Sequence, residues 1–188
     1  MPATLYGIEH FQPRDQDIAM LRRQAGTSGP VRPMGVPSQI RLCAYDVTHD
    51  PQFTAVSAPL LRWARELWLL SSDYNKHDDV LNGEALHKAA SIIREQNVDA
   101  IPQGPLRAIA SSLKHLGWTL SHAHIIHTGT HQLDLTVGSP AMLKHYIRQT
   151  YTGLCNMAAT KKLRERGTWT QTADPAWGGI RRFLHSSK

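Results

Sequence analysis

Cysteine is nearly absent from this sequence. Cys43 and Cys155 stand far apart and outside any CxxC spacing, which excludes a disulfide scaffold and a cysteine-built zinc site. No run approaches the ~20 consecutive apolar residues that a bilayer-spanning helix needs, so no membrane partner is expected. Met1-Pro2-Ala3-Thr4-Leu5-Tyr6 has neither a basic n-region nor an apolar h-region. An intracellular protein is therefore expected, nuclear and cytoplasmic sites being undistinguished. Hydrophobic residues make up 41% and charged residues 19% of the 188, a little below average globular composition and well above that of disordered chains. That length suits one compact domain, or one domain with loosely attached ends.

Catalytic signatures are missing too. There is no G-x-S-x-G elbow, and neither cysteine has a flanking signature. Gly104 and Gly117 are not followed by Lys-Ser/Thr, so there is no Walker A loop. The Gly26–Gly35 run lacks both the G-x-G-x-x-G spacing and a preceding strand. The acidic pair Asp78-Asp79 sits in a hydrophilic turn. The expectation is no catalytic residue, no cofactor and no enzymatic activity of the chain on its own.

What the sequence does have is misplaced charge. The formal net charge is +6. Residues 144–188 hold nine basic groups (Lys144, Arg148, Lys161, Lys162, Arg164, Arg166, Arg181, Arg182, Lys188) and only Glu165 and Asp174 as acids, a net of +7, against −1 for the first 143 residues. Such asymmetry suits a polyanion, because cations near phosphates gain by counterion release. The plainer alternative is a solvated basic helix and tail that keep the protein soluble.

Periodicity predicts a mainly helical α+β fold, with five to seven helices and one β-hairpin before a long C-terminal basic helix. Asp15 and Asp17 open a short helix carrying Ile18 and Leu21, expected to stop at Gly26. Three glycines and three prolines between Gly26 and Pro37 make a linker. Ser38 can cap a short helix through Ile40–Tyr45. Asp50-Pro51 then opens a stronger one, Asp accepting from orphan N–H groups and Pro fitting the first helical position. Phe53, Val56, Leu60, Ala64, Leu67 and Trp68 form its apolar stripe, and Pro59 is expected to kink or split it. After a polar, turn-like Ser71–Asp79, a third pattern puts Leu81, Ala85, Leu86, Ala89, Ile92 and Ile93 on one face, with Glu84 spaced to pair with Lys88. Pro102-Gln103-Gly104-Pro105 breaks the chain before a helix with Leu106, Ile109, Ala110, Leu113 and Leu116, stopped by Gly117.

The period then changes to two. Trp118, Leu120, His122, His124 and Ile126 alternate with Thr119, Ser121, Ala123, Ile125 and His127, and Leu133, Leu135 and Val137 with Gln132, Asp134 and Thr136 after Thr128-Gly129-Thr130, which predicts a hairpin over about residues 118–137. Ser139-Pro140 caps the longest helix, whose buried side is expected to carry Leu143, Tyr146, Ile147, Leu154, Met157 and Ala158. Cys155 is expected to be a small buried residue. Gly167 ends the helix, and a short helical piece, Ile180–Leu184, lies in the tail. The expected organisation is an arm with linker over 1–36, a helical domain with hairpin over 37–167, and a basic tail over 168–188.

Two clusters carry candidate chemistry. His122-x-His124-x2-His127-x3-His131 has imidazole nitrogens suited to a transition metal. On a strand His122 and His124 share a face and His127 takes the other. Asp134 is the nearest acid, and no metal site is expected, His122 and His124 being the only candidates. Histidines also suit phosphate or base-edge contacts. Among the tryptophans, Trp118 is expected to plug the core beneath the hairpin, and at most one of Trp63 and Trp68 need be exposed. Trp169 and Trp177 stand among arginines, where they either stack bases or pin the tail to the body.

Several segments in order resemble a known family. They are Leu21-Arg22-Arg23-x-Ala25, a Gly/Pro spacer, Pro37-Ser38-x-Ile40-Arg41-Leu42 and Asp50-Pro51-x-Phe53. Then come Gly104-Pro105-Leu106, Leu113-x-x-Leu116-Gly117-Trp118, Leu133-x-Leu135, Gly138-Ser139-Pro140-x-x-Leu143 and a basic helix. This series resembles the region downstream of the polymerase core in non-LTR retroelement reverse transcriptases of protist genomes, over roughly residues 18–170. The chain departs from a whole enzyme of that kind, having no Tyr/Phe-x-Asp-Asp motif and no nuclease carboxylate set. The resemblance implies a fragment or non-catalytic module of such a polyprotein, thumb-like or connecting, that grips RNA or an RNA–DNA hybrid. Lys144, Arg148, Lys161, Lys162, Arg164, Arg166, Arg181 and Arg182 would then meet phosphates and Trp169 would stack. A protein-interaction or structural module whose basic face meets an acidic partner is the alternative.

Overall fold

The computed structural model describes residues 7–27, 42, 46–72, 83–165 and 167. Among these, five α-helices and a small antiparallel sheet follow one another: α1 (Asp15–Thr27), α2 (Pro51–Ser72), α3 (Glu84–Glu95), α4 (Pro105–Leu116), β1 (Thr119–His122), β2 (Ile125–His127), β3 (Gln132–Asp134) and α5 (Pro140–Glu165). The mainly helical α+β class is the one observed. The chain divides into two compact units that interleave in sequence. One comprises Met1–Pro13 with Thr54–Ile147, the other Arg14–Phe53 with Arg148–Lys188. The Gly/Pro linker, the polar stretch from residue 73, Trp169, Trp177 and the tail helix Ile180–Leu184 lie outside the described residues. Of the Ile40–Tyr45 helix only Leu42 is described, helical and buried.

The first unit is built on apolar periodicity. Val56, Leu60, Ala64 and Leu67 of α2 are buried, as their three- and four-residue spacing requires; Trp68 is half-buried. Helix α2 runs through Pro59 without interruption, so the expected split does not occur. Pro59 cannot donate to the Ala55 carbonyl and carries a helix-interior penalty of ~3 kcal/mol, but the ring is itself buried and its burial offsets part of that loss. In α4, Ile109, Ala110, Leu113 and Leu116 are buried. Gly117 ends it in the left-handed region at φ 69°, donating to Leu113 and Lys114 carbonyls, a conformation that costs glycine little. Helix α3 is less committed: only Ala90 is buried and Ala85 is exposed. No ion pair joins Glu84 to Lys88 among the described residues, since exposed pairs of long side chains are held weakly.

Three strands form where one hairpin was predicted. The sheet order is β1-β2-β3, with Leu120 opposite Ile126 and Ile126 opposite Leu133, and these three residues are its buried face. The first period-two run is folded back on itself at residues 123–124. Ala123 is small enough to be buried there, and its carbonyl accepts the Trp63 indole N–H at 2.9 Å. Trp118 is buried, as expected. The second run ends early: Leu133 and Leu135 are buried but Val137 is 76% exposed. Asp134 Oδ1 accepts from Thr136 N at 2.9 Å and Thr136 Oγ1 at 2.6 Å, and the Asp134 carbonyl accepts from Gly138 N at 2.8 Å. That side-chain-to-backbone competition turns the chain out of the strand.

Burial works to raise the Asp134 carboxyl, but the Thr136 hydrogen bonds, with His124 and the Val137 N–H, outweigh it and hold the group below its ordinary value. A depressed folded-state pKa stabilises above the unfolded value and stops doing so as pH falls through the folded one. The turn should therefore begin to lose this support below about pH 3.9. An NMR titration should place the Asp134 midpoint below that figure and show the Thr136 amide following it. In Asp134→Asn the Thr136 amide should not move over the same range. A midpoint at or above the ordinary value would remove the turn argument.

The second unit buries Ile18 and Leu21 of α1, Val47, Phe53, and Tyr151, Cys155 and Ala159 of α5. Helix α1 continues through the expected stop at Gly26, which is buried, as far as Thr27, the last described residue before the linker; the Thr27 hydroxyl donates to the Gln24 carbonyl. Phe53 and Tyr151 meet edge to face, ring centroids 5.5 Å apart.

Candidate nucleic-acid interface

Helix α5 carries all five of the described candidate cations, so its faces decide what they can do. Ser139 accepts from Met142 N at its start, and the helix is buried along Leu143, Ile147, Tyr151, Cys155 and Ala159. Successive four-residue steps advance about 40° round a helix, so this buried line winds. That winding is why Met157 is 68% exposed and Ala158 also lies outside, while Tyr146 and Leu154 are half-buried. A stripe at fixed mixed three- and four-residue spacing misplaces all four.

In the second unit, Arg148 Nη2 donates to Asp46 Oδ2 at 2.8 Å, the two side chains being 54% and 32% exposed. Asp46 also caps the turn Val47–His49, accepting from Thr48 N at 3.0 Å. Burial opposes the Asp46 charge, and the Thr48 hydrogen bonds, then Arg148 and His49, more than offset it and lower its pKa. An exposed pair of this kind is worth about 0–1 kcal/mol, so a phosphate can compete for the guanidinium. Lys161, Lys162 and Arg164 are exposed in the last turn of α5. Lys161 Nζ reaches Glu165 Oε1 only at 3.9 Å, and Lys162 forms no ion pair among the described residues. By helical geometry Arg148 lies about 21 Å along the axis from Lys162 and about 140° round it from Lys161. The structure thus puts Lys161, Lys162 and Arg164 close together at the end of α5, fanned round the helix with Lys162 and Arg164 about 160° apart, and sets Arg148 apart along the axis. Arg166, Trp169, Arg181 and Arg182 lie outside the described residues.

In the first unit, Lys144 is exposed and unpaired among the described residues. Three other cations of that unit are engaged, while Arg65, Lys88 and Lys114 are exposed with no ion pair among the described residues. Arg107 donates to Gln12 Oε1 and the Ile101 carbonyl, Arg94 to the Ser121 carbonyl, and Arg62 pairs with Glu66 at 2.9 Å.

The histidines do not converge. His122 ends β1 and His124 lies in the turn, their rings 6.0 Å apart, so they no longer alternate along one strand. His127 Nε2 is 2.9 Å from Ser121 Oγ. Among the described residues no three potential ligands are placed to hold a metal ion. His131 belongs to a different group: its ring centroid is 5.4 Å from that of Tyr146, which is 6.1 Å from His145. Sequence spacing gave no sign of this, because position 131 and positions 145–146 come together only through the fold.

A second group missed from the sequence is buried. Asp50 is 1% exposed. Its Oδ2 accepts from Arg22 Nη2 and from the Tyr151 hydroxyl, both at 2.9 Å, and its Oδ1 accepts from Gln52 N at 3.0 Å. Burial and then the Asp50 charge push the Tyr151 phenol far above its usual range. Burial works against the Arg22 charge, but Asp50, with smaller contributions from Tyr151 and Cys155, outweighs it and raises that pKa. Asp50 and Tyr151 are closed to solvent and Arg22 is 19% exposed, and the group ties α1, the start of α2 and α5 within the second unit.

Comparisons with known proteins give no further guide. Neither protein-family models, nor curated proteins, nor solved structures return a match to this chain.

Proposed function

We propose that this chain is a non-catalytic nucleic-acid-binding module, comparable to the post-polymerase segment of a retroelement reverse transcriptase that its sequence resembles. The observation that carries the reading is the cationic end of α5, where Lys161, Lys162 and Arg164 are exposed within residues 144–188, the stretch that holds the chain's whole charge excess. Phosphate contacts position a strand without requiring a shaped pocket, so an exposed helix end is sufficient. RNA or an RNA–DNA hybrid is the expected ligand. The Arg148–Asp46 pair favours a second reading, since it is a cation of α5 already taking a carboxylate; an acidic protein partner would then survive nuclease in a pull-down.

Salt titration tests the first reading. Binding of single-stranded RNA should fall linearly in log affinity against log salt. Lys161→Ala/Lys162→Ala should make the slope shallower by about 1.4, two phosphate contacts at ~0.7 each. A flat line for the unaltered protein would defeat the proposal.

A further inference from the structure

We infer that His131, Tyr146 and His145 form a platform on which unpaired nucleobases of a single strand stack. The inference rests on the nucleic-acid reading above and deepens it, because that reading supplies only phosphate contacts, to which bases are indifferent.

The platform is held by two unrelated elements. His131 sits at the end of the β2–β3 turn, which is fastened by reciprocal hydrogen bonds: Thr128 N to the His131 carbonyl at 2.9 Å, and His131 N to Thr128 Oγ1 at 3.1 Å. Gly129, at φ 86°, makes that turn in a conformation few other residues adopt. Tyr146 and His145 come from the second turn of α5. The rings touch at angles of 58° and 81°, not as parallel stacks. An edge-to-face contact covers at most one face of one ring of a pair, so the three rings do not use up each other's faces. His131 and His145 are exposed and Tyr146 is half-buried, an arrangement with an anchored centre and two open wings.

Planar rings at a surface, next to a cation, are the composition that single-strand binders use, since every base has a π-face and stacking tolerates any sequence. Lys144, exposed and adjacent to His145 in the chain, supplies the cation for the phosphate flanking a stacked base. A metal does not fit this group: its only imidazoles are His131 and His145, and no carboxylate joins them in any potential ligand set among the described residues.

The experiment measures fluorescence anisotropy with a 12-nucleotide oligo(U) and with an abasic ribose-phosphate strand of equal length and charge. The unaltered protein should bind oligo(U) more tightly than the abasic strand. His131→Ala/His145→Ala should weaken oligo(U) binding roughly tenfold or more and leave abasic-strand affinity and the salt slope unchanged, which also shows that the variant is folded. Tyr146→Leu, which keeps an apolar side chain at the half-buried position, should do the same. Equal affinity of the unaltered protein for both strands, or equal losses on both, would overturn the platform while leaving phosphate binding intact. Failure to bind either strand would overturn both readings.

Discussion

Asp50→Ala should cost the second unit about 3–5 kcal/mol, the loss expected when one partner of a buried ion pair is removed. Three consequences act together. Arg22, only 19% exposed, keeps a charge with no counter-charge beside it, and its Nε already has no hydrogen-bond partner. The Tyr151 hydroxyl loses a buried acceptor, worth ~1–3 kcal/mol if left unpaired. Helix α2 loses its cap at Gln52 N, typically ~1 kcal/mol. These terms overlap, so the sum is not the prediction. Set against a total stability of ~5–15 kcal/mol for an ordinary domain, the loss is large. Asp50→Asn keeps one acceptor oxygen, enough for the Gln52 N–H or for the phenol but not for both, and should cost less than Asp50→Ala. Adding Arg22→Met to Asp50→Ala should recover part of the loss, because the stranded charge is then gone. Urea denaturation of the four proteins reads all of this; an Asp50→Ala midpoint close to the unaltered one would show that the triad contributes little.

The same residue shows what the sequence reveals and what it hides. Asp50-Pro51 is legible as a helix start because capping is local, involving the carboxylate and an N–H two residues on. Its pairing with Arg22 and Tyr151 is not legible, since those partners lie 28 and 101 residues away and nothing in a single sequence ties them. The helices of the first unit follow from apolar spacing, and Gly117 and Ser139-Pro140 mark their ends through backbone chemistry that depends on neighbours only. The sheet is half legible: period two gives the strands, but whether a run continues or folds back at Ala123 depends on what lies beneath it. Helix α5 is the clearest failure of pattern. Its buried line advances by four residues each time, so a face drawn straight along the helix takes in Met157 and omits Tyr151. Cationic excess beyond position 143 is plain from counting, yet its division into an isolated Arg148 and a last-turn group depends on helical angle and on Asp46.

Ile126→Ala tests the link between the sheet and the surface it presents. Ile126 is fully buried in the central strand, flanked across β1 and β3 by Leu120 and Leu133. Both neighbours are fixed by strand pairing, so they have little freedom to close over the missing atoms, and the expected loss is about 2–5 kcal/mol. Ile126→Val, which removes a single methylene, should cost ~0.5–1.5 kcal/mol. Val137→Ala, at an apolar position the structure leaves exposed, should fall within about 0.5 kcal/mol of no change. This ordering separates burial from mere hydrophobicity, because the sequence pattern alone treats Ile126 and Val137 alike. Strands β2 and β3 also carry the turn that holds His131, so the Ile126→Ala protein should exchange the Thr128 and His131 amide protons faster. Unchanged exchange there, alongside a large loss in urea, would mean that the turn is secured by its own hydrogen bonds and not by the sheet beneath it.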